Sequence, residues 1–327
     1  MVKRLRLVFC GTPAFAVPTL NALVQAGHEI AQVLTQPDRP VGRKQVLTAP
    51  ALKLRALELG LQVDQPESIR RNEAVRARLE SIQPDAIVVV AYGRILPQWM
   101  LDLPRLGCIN LHASLLPRHR GAAPIQWALA MGDSVTGNTT MKLDAGLDTG
   151  PILLQQELPI LPEHTAVDLF TVLAERGATL MVQTLEGLAN GTIVPKPQDG
   201  ESATLARLLE REDGRIDFLR QTATEIWNRW RGFQPWPGLF TEWRGKKLIA
   251  HRVRLADLRR DAALGVGIAD QERLFVACAE ASWLELLEVQ VEGRARVKAG
   301  EFLRGLGVDH SPDVTLRFGA TDAQKEP

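Results

Sequence analysis

The chain has 327 residues, of which 45% are hydrophobic and 24% charged, with a formal net charge of +1. That length is more than one hydrophobic core usually serves, so two domains are expected, and the composition is that of an ordinary globular protein. A near-neutral charge excludes a wholly basic nucleic-acid or membrane binder and leaves only local clusters to consider.

Cys10, Cys108 and Cys278 stand far apart, with no CxxC pair and no matching histidine spacing. This points to buried thiols in a reducing compartment and to no metal site. The apolar run from Leu5 to Cys10 is too short for a signal segment, and no stretch of eighteen apolar residues is present. The expectation is a cytoplasmic protein without a membrane span.

Leu5 to Cys10 reads as a buried strand that feeds a helix through Gly11-Thr12-Pro13. Thr12 caps that helix, Pro13 takes its first position, and Phe15, Val17, Leu20, Leu23 and Val24 share one face before the stop at Gly27. Ile30 to Thr35 is a second strand, so the chain opens as a βαβ unit of a parallel sheet. Gly11 lacks the companions of a G-x-G-x-x-G phosphate turn and reads as structural. Asp38 to Pro50 reads as a long loop carrying Arg39, Arg43 and Lys44, suited equally to phosphate contact and to plain solvation. Helix patterns follow at Ala51 to Leu59 and near Ile69 to Ile82.

Asp85 to Tyr92 is the strongest strand signal, apolar from Ala86 to Ala91, and implies a central, doubly covered position. Ligands of such sheets lie beyond the carboxyl ends of the strands, so Tyr92 to Pro97 is expected to face a crevice. Leu106 to Leu111 is another strand, with Asn110 and His112 at its end. On an extended chain these two share a face. A lone histidine is more commonly a satisfied core residue. Beside an amide that can donate to an oxyanion, an imidazole that can move a proton suggests chemistry. The stretch Asp144-Ala145-Gly146-Leu147-Asp148-Thr149-Gly150-Pro151 offers two carboxylates to orient that imidazole, and the residues alone do not choose between Asp144 and Asp148. Ser114 lacks a G-x-S-x-G elbow, Cys108 lacks a partner signature, and no H-E-x-x-H is present. What remains is transfer of an acyl or one-carbon group to an external nucleophile.

Thr139 to Leu143 and Ile152 to Leu158 are further strands, and a helix from Thr165 to Leu188 stops at Asn190-Gly191. Leu248 to Val253, Leu274 to Cys278 and Leu284 to Val291 carry β patterns with Gly-rich turns. The expected fold is α/β: a doubly wound, mostly parallel Rossmann-like sheet over 1–190, a linker over 191–206, a smaller OB-like β-barrel over 207–310 and a tail over 311–327. Between Arg229 and Arg260 nine Lys or Arg (Arg229, Arg231, Arg244, Lys246, Lys247, Arg252, Arg254, Arg259, Arg260) face two acids, Glu242 and Asp257. Trp227, Trp230, Trp236 and Trp243 stand among them. Tryptophans at such spacings are more often core, but the cations suit a nucleic-acid backbone.

The motifs GTPAFA, QPDRPVGR, VVVAYGRILP, GCINLHASLLPRHRGAAPIQWAL and DAGLDTGPIL, in this order and spacing, resemble the 10-formyltetrahydrofolate-dependent formyltransferase family. The resemblance implies Asn110, His112 and Asp148 as the catalytic set. It also implies a folate pocket lined by Arg94, Ile95 and Leu96, by the LDTG loop and by Ser114, Leu115, Leu116 and Pro117. The co-substrate would be 10-formyltetrahydrofolate, with no metal.

GRIDF, FQPWPGLFT and KAGEFLRG resemble the second half of the members that formylate methionyl initiator tRNA, rather than those that act on glycinamide ribonucleotide or nucleotide sugars. This implies a monomer that contacts tRNA through Arg43, Lys44, Arg229, Arg231, Lys246 and Lys247. The rivals are a nucleotide-sugar N-formyltransferase and an inert RNA-binding module on the same fold. Two departures stand out: Arg43 is followed by Lys44-Gln45-Val46 where the family has a more basic run, and His119 stands where a tryptophan is common.

Overall fold

The computed structural model describes residues 3–42, 44–307 and 316–319. By contacts the chain divides into two units, 1–125 with 134–161 and 168–207, and 126–133 with 162–167 and 208–327.

The first unit opens with the expected βαβ order, β1 (Arg6–Gly11), α1 (Val17–Gln25) and β2 (Glu29–Leu34), but a 3-10 turn at Ala14–Ala16 precedes α1, so neither Thr12 nor Pro13 starts that helix, and Thr12 Oγ1 donates instead to the Tyr92 carbonyl at 3.1 Å. The stretch expected as a long loop instead holds a hairpin, β3 (Arg39–Val41) and β4 (Val46–Thr48), every residue of which is exposed. Arg43 lies outside the described residues. Then come α2 (Ala51–Glu58), β5 (Val63–Asp64), α3 (Glu73–Ile82), β6 (Ala86–Val90), α4 (Gln98–Leu101) and β7 (Cys108–His112). The remaining elements are α5 (Pro124–Ala130), β8 (Val135–Lys142), β9 (Ile152–Pro159) and α6 (Ala166–Ala189); α5 and α6 each carry their first residues in one unit and the rest in the other.

The seven strands order as β5-β2-β1-β6-β7-β8-β9. The pairs from β5 to β7 are parallel and the last two are antiparallel, so the sheet is α/β and mostly parallel, as expected. Every residue of β6 is buried, which explains its uninterrupted apolar sequence. On one face of the sheet Val8, Cys10, Ile87, Val89, Tyr92 and Cys108 pack with Val75, Leu79 and Met100. On β7 Leu111 points the other way: a Cβ on Gly177 of α6 would lie 2.6 Å from its Cδ2, so the helix approaches the strand through a residue without a side chain.

The second unit contains α7 (Ala223–Gly232), β10 (Leu239–Trp243), β11 (Lys246–Ala256), β12 (Val266–Asp270), β13 (Arg273–Cys278), β14 (Ser282–Val291), β15 (Val297–Lys298), α8 (Ala299–Arg304) and β16 (Leu316–Arg317). Helix α7 starts at a capping box, with Thr222 and Glu225 each satisfying the other's backbone N–H. The sheet is antiparallel, ordered β10-β11-β14-β13-β12-β16 with β15 beside β14, and curls into a half-barrel. The smaller β domain expected after the α/β sheet is therefore present, as a half-barrel accompanied by α7 and α8. Within the stretch expected as a tail, of which 316–319 are described, Leu316–Arg317 form a strand of this sheet. Leu316 pairs with Gly267, and Phe318 packs 6.4 Å from Phe218, ring centre to ring centre. The rest of 311–327 lies outside the described residues.

Candidate active site

The alternation of side chains along β7 decides what its end presents. With Leu111 turned toward α6, Asn110 and His112 fall on the opposite face, the one that carries Cys108. Parallel pairing of Val89 with Asn110 brings the end of β6 alongside, so the chain leaves both strands at one edge.

His112 is buried, and each of its ring nitrogens meets an oxygen. Nε2 lies 2.8 Å from the carbonyl of His119, which can only accept, so Nε2 carries the proton of the neutral ring. Nδ1 faces Oδ2 of Asp148 at 3.6 Å. The same Oδ2 accepts a hydrogen bond of 2.8 Å from the backbone N–H of Gly121. Asp148 itself sits in the left-handed region at φ +51°, a conformation that costs a non-glycine residue about 1–3 kcal/mol. Asp144, the alternative carboxylate, is occupied otherwise: its Oδ1 accepts from Gly146 N at 3.0 Å and from Thr149 Oγ1 at 2.7 Å, closing the loop on itself. Asn110 is only 9% exposed, and among the described residues its side-chain amide makes no hydrogen bond. Its amide atoms are not among those buried without a partner, so they stand within reach of solvent or of a bound group.

The turn from His119 to Gly121 is therefore the part that grips the pair. His119 has φ +58° and Gly121 φ +119°, and a Cβ on Gly121 would come within 2.7 Å of the Ala206 carbonyl. Glycine there is a requirement of both conformation and space. Gly150 is held as tightly, since its Cβ would lie 1.9 Å from the Lys142 carbonyl. The segment Ser114 to Pro117 is wired inward. Ser114 Oγ donates to the Arg118 carbonyl at 2.6 Å, Thr139 Oγ1 donates to the Ser114 carbonyl at 2.7 Å, and Gln155 Nε2 donates to the Leu116 carbonyl at 2.9 Å. Ser114 and Leu116 are buried, Leu115 and Pro117 partly so; the segment shapes the site by its backbone course more than by side chains offered to a ligand. Of the residues after β6, Ile95 is 92% exposed, Leu96 is buried with Met100, and Arg94 donates to the Glu67 carbonyl while its Nε is buried without a partner.

In the second unit the expected cations separate. Lys246 is exposed, and Lys247 lies with its Nζ 3.6 Å from the centre of the Phe240 ring. Burial, the largest effect, and the nearby Arg211 lower its ammonium pKa. Arg229 is half-buried over the Phe233 ring at 5.5 Å. Arg231 departs from the expectation of a surface contact. It is 5% exposed, with Nη2 2.6 Å from Asn228 Oδ1 and its guanidinium 4.1 Å from the centre of the Trp227 ring. Burial depresses its pKa, and its work is internal. Arg254 is also engaged, since it and Arg273 share the buried Glu285. Of the tryptophans, Trp243 is packed on Phe302 at 5.1 Å and Trp230 donates to the His251 carbonyl at 3.0 Å, whereas Trp236 is 53% exposed. Among the described residues no group of three or more His, Cys, Asp or Glu side chains is arranged to hold a metal, and no helix is long and apolar enough to cross a membrane.

Two participants were not visible in the sequence. The His119 carbonyl meets His112 through a backbone atom, which residue type does not reveal, and the Gln198 side chain reaches the Asp148 loop from far along the chain. Gln198 sat in a Pro- and Gly-rich stretch whose composition spoke only of a linker.

Residues 3–185 match the family described as Formyl transferase, and residues 208–307 match Formyl transferase, C-terminal domain. The methionyl-tRNA formyltransferase of Acidobacterium capsulatum is 60% identical over 301 residues, which span 92% of this chain and 96% of that protein. Among solved structures, the N-formyltransferase from Helicobacter canadensis, in complex with folinic acid and dTDP-3-aminofucose, has a TM-score of 0.63 at 19% identity, covering 88% of this chain and 99% of that one. HypX from Aquifex aeolicus, in complex with tetrahydrofolic acid, has a TM-score of 0.61 at 14% identity; the match covers 92% of this chain and 47% of HypX, so this chain spans about half its length. At those identities the two structures speak for the fold alone.

Proposed function

Because this chain belongs to the formyl transferase family, we propose that it transfers the formyl group of 10-formyltetrahydrofolate to the α-amino group of methionyl initiator tRNA. The observation that carries the acceptor is the 60% identity to a methionyl-tRNA formyltransferase along nearly the whole of both chains, second unit included.

In this reading the amine nitrogen bonds to the formyl carbon, a tetrahedral oxyanion forms, and the bond from that carbon to N10 of the folate breaks. An α-amino group titrates at about 7.7–8.0 and an aminoacyl ester lowers that value, so the nucleophile needs little activation. Asn110 fits the oxyanion, because its side chain lies on the same face of β7 as His112 and carries N–H donors. His112 takes the proton that the amine loses and gives it to N10 of the folate as the carbon–nitrogen bond breaks. With Nε2–H fixed by the His119 carbonyl, Nδ1 is the nitrogen free to accept it, and Asp148 at 3.6 Å stabilises the imidazolium that results. Ile95 and the backbone of Ser114 to Pro117 shape the folate side, with Arg94 and Leu96 holding that edge in place. Lys44, Arg229, Lys246 and Lys247 meet the tRNA backbone, together with Arg43.

We further propose that the enzyme works in the cytoplasm as a monomer. Its three cysteines are free and buried, in keeping with a reducing compartment, and sedimentation of the purified protein tests the second point. The acceptor is tested by offering labelled 10-formyltetrahydrofolate with methionyl initiator tRNA and, separately, with an amino-sugar nucleotide. Label on the tRNA supports the reading, and label on the sugar alone, or on neither, overturns it.

A further inference from the structure

Residues 196–206, which the sequence presents as a linker, are tied along the active-site loop at both ends. Ile152 and Lys196 exchange backbone hydrogen bonds of 2.7 and 2.8 Å. Farther on, Arg120 N donates to the Thr204 carbonyl at 2.8 Å, Ala206 N to the Arg120 carbonyl at 2.7 Å and His119 N to Thr204 Oγ1 at 2.8 Å.

Between these ties the Gln198 side chain is used completely. Its Nε2 donates to the carbonyls of Asp148 at 2.8 Å and Gly150 at 2.7 Å, and its Oε1 accepts from Nε and Nη2 of Arg120 at 3.0 and 2.7 Å. A primary amide has two N–H donors and one oxygen with two lone pairs, so nothing is left over. The demand is specific. The loop side offers only carbonyls and needs donors, and the Arg120 side offers only donors and needs an acceptor. Asp148 meanwhile stands at φ +51°, where its own backbone preference does not hold it.

We infer that Gln198, anchored by Arg120, is a positioning residue that holds the Asp148 loop so that the carboxylate faces His112. The inference rests on the reading of Asp148 as catalytic. Gln198 reaches main-chain oxygens of the loop and acts through Asp148.

Gln198→Glu is the sharpest test, because it preserves size and the pairing with Arg120 while replacing two donors by an acceptor that opposes two carbonyls. Misplacement of a catalytic group by about 1 Å can cost on the order of 100-fold, and the expected result is a fall in kcat of about 10- to 100-fold. KM for 10-formyltetrahydrofolate and for methionyl-tRNA should stay unchanged. In an Asp148→Asn background, Gln198→Glu should cause no further loss, since a residue that acts through the carboxylate has nothing left to act on. Unchanged kcat, a rise in KM alone, or a full additional loss in the Asp148→Asn background would overturn the inference. Arg120→Lys weakens the two-nitrogen grip on Oε1 and should lower kcat in the same sense; if the Gln198 variant does not fold, wild-type kcat in Arg120→Lys overturns the inference instead. An Asp148→Asn enzyme as fast as wild type would remove the catalytic reading itself, a separate outcome from a fast Gln198→Glu beside a slow Asp148→Asn.

Discussion

Nδ1 of His112 lies 3.6 Å from Oδ2 of Asp148, and one tight turn holds both groups from behind: the His119 carbonyl takes the ring at Nε2 and the Gly121 amide takes the carboxylate, each at 2.8 Å. Two side chains, one at the end of β7 and one from the loop between β8 and β9, thus share one backbone clamp. Its shape depends on residues that do no chemistry.

Gly121 is the clearest of these. At φ +119°, with the Ala206 carbonyl 2.7 Å from where a Cβ would stand, alanine is both strained and crowded. Gly121→Ala should lower stability by about 1–3 kcal/mol, seen as a lower thermal midpoint. Turnover should fall by more than about 10-fold, because the turn shifts under both members of the pair. A variant with unchanged midpoint and turnover would show that the clamp tolerates what its geometry forbids.

Cations of the second unit should divide by burial. Arg231→Ala strands Asn228 Oδ1 and uncovers the Trp227 face, a loss of about 1–3 kcal/mol, while the salt dependence of tRNA binding stays as in wild type. Lys246→Ala should leave the midpoint alone, weaken tRNA binding, and reduce the slope of log affinity against log salt by about one. Equilibrium binding at several salt concentrations decides, and a flat slope for the wild type would remove tRNA from this face.

Glu285 gives the second unit a stability that depends on pH. Burial alone would raise its carboxyl pKa, but the hydrogen bonds from Arg273 and Arg254 outweigh burial and hold it below the ordinary glutamate value of 4.5. The charged form is therefore favoured by folding. Its contribution is complete above 4.5 and is lost as the pH falls through the depressed native value. Glu285→Gln should melt several degrees lower at pH 7, and the gap should narrow steadily as the pH drops below about 4. A gap that persists at the acid end would assign the loss to packing instead of charge.

Much of the framework was legible because it rests on local pattern. The βαβ opening, the buried strand before Tyr92, and the placing of Asn110 and His112 on one face follow from periods of two and 3.6 residues. The hairpin at Arg39–Val41 and Val46–Thr48 was not, since its exposed strands carry no burial signature. Strand Leu316–Arg317 was hidden by its shortness, and its pairing partners Val266 and Gly267 are distant in sequence. At the candidate site, residue type and spacing singled out Asn110 and His112, whereas the facing of Asp148 to His112 and the use of Asp144 Oδ1 by Thr149 and Gly146 depend on the loop's conformation, which spacing does not encode. Arg231 misled because charge in a sequence carries no information about which side of a helix is covered.

The central claim is that Asn110, His112 and Asp148 carry formyl transfer to methionyl-tRNA. Its most direct test is a single-turnover experiment with enzyme in excess over methionyl initiator tRNA and with saturating 10-formyltetrahydrofolate, run on wild type, Asn110→Ala, His112→Ala and Asp148→Asn. The account predicts rapid formyl-methionyl-tRNA formation by the wild type and rates lower by about 10²–10⁴-fold in folded variants. Wild-type single-turnover rates in all three variants, or no formylated tRNA from the wild type, would contradict it.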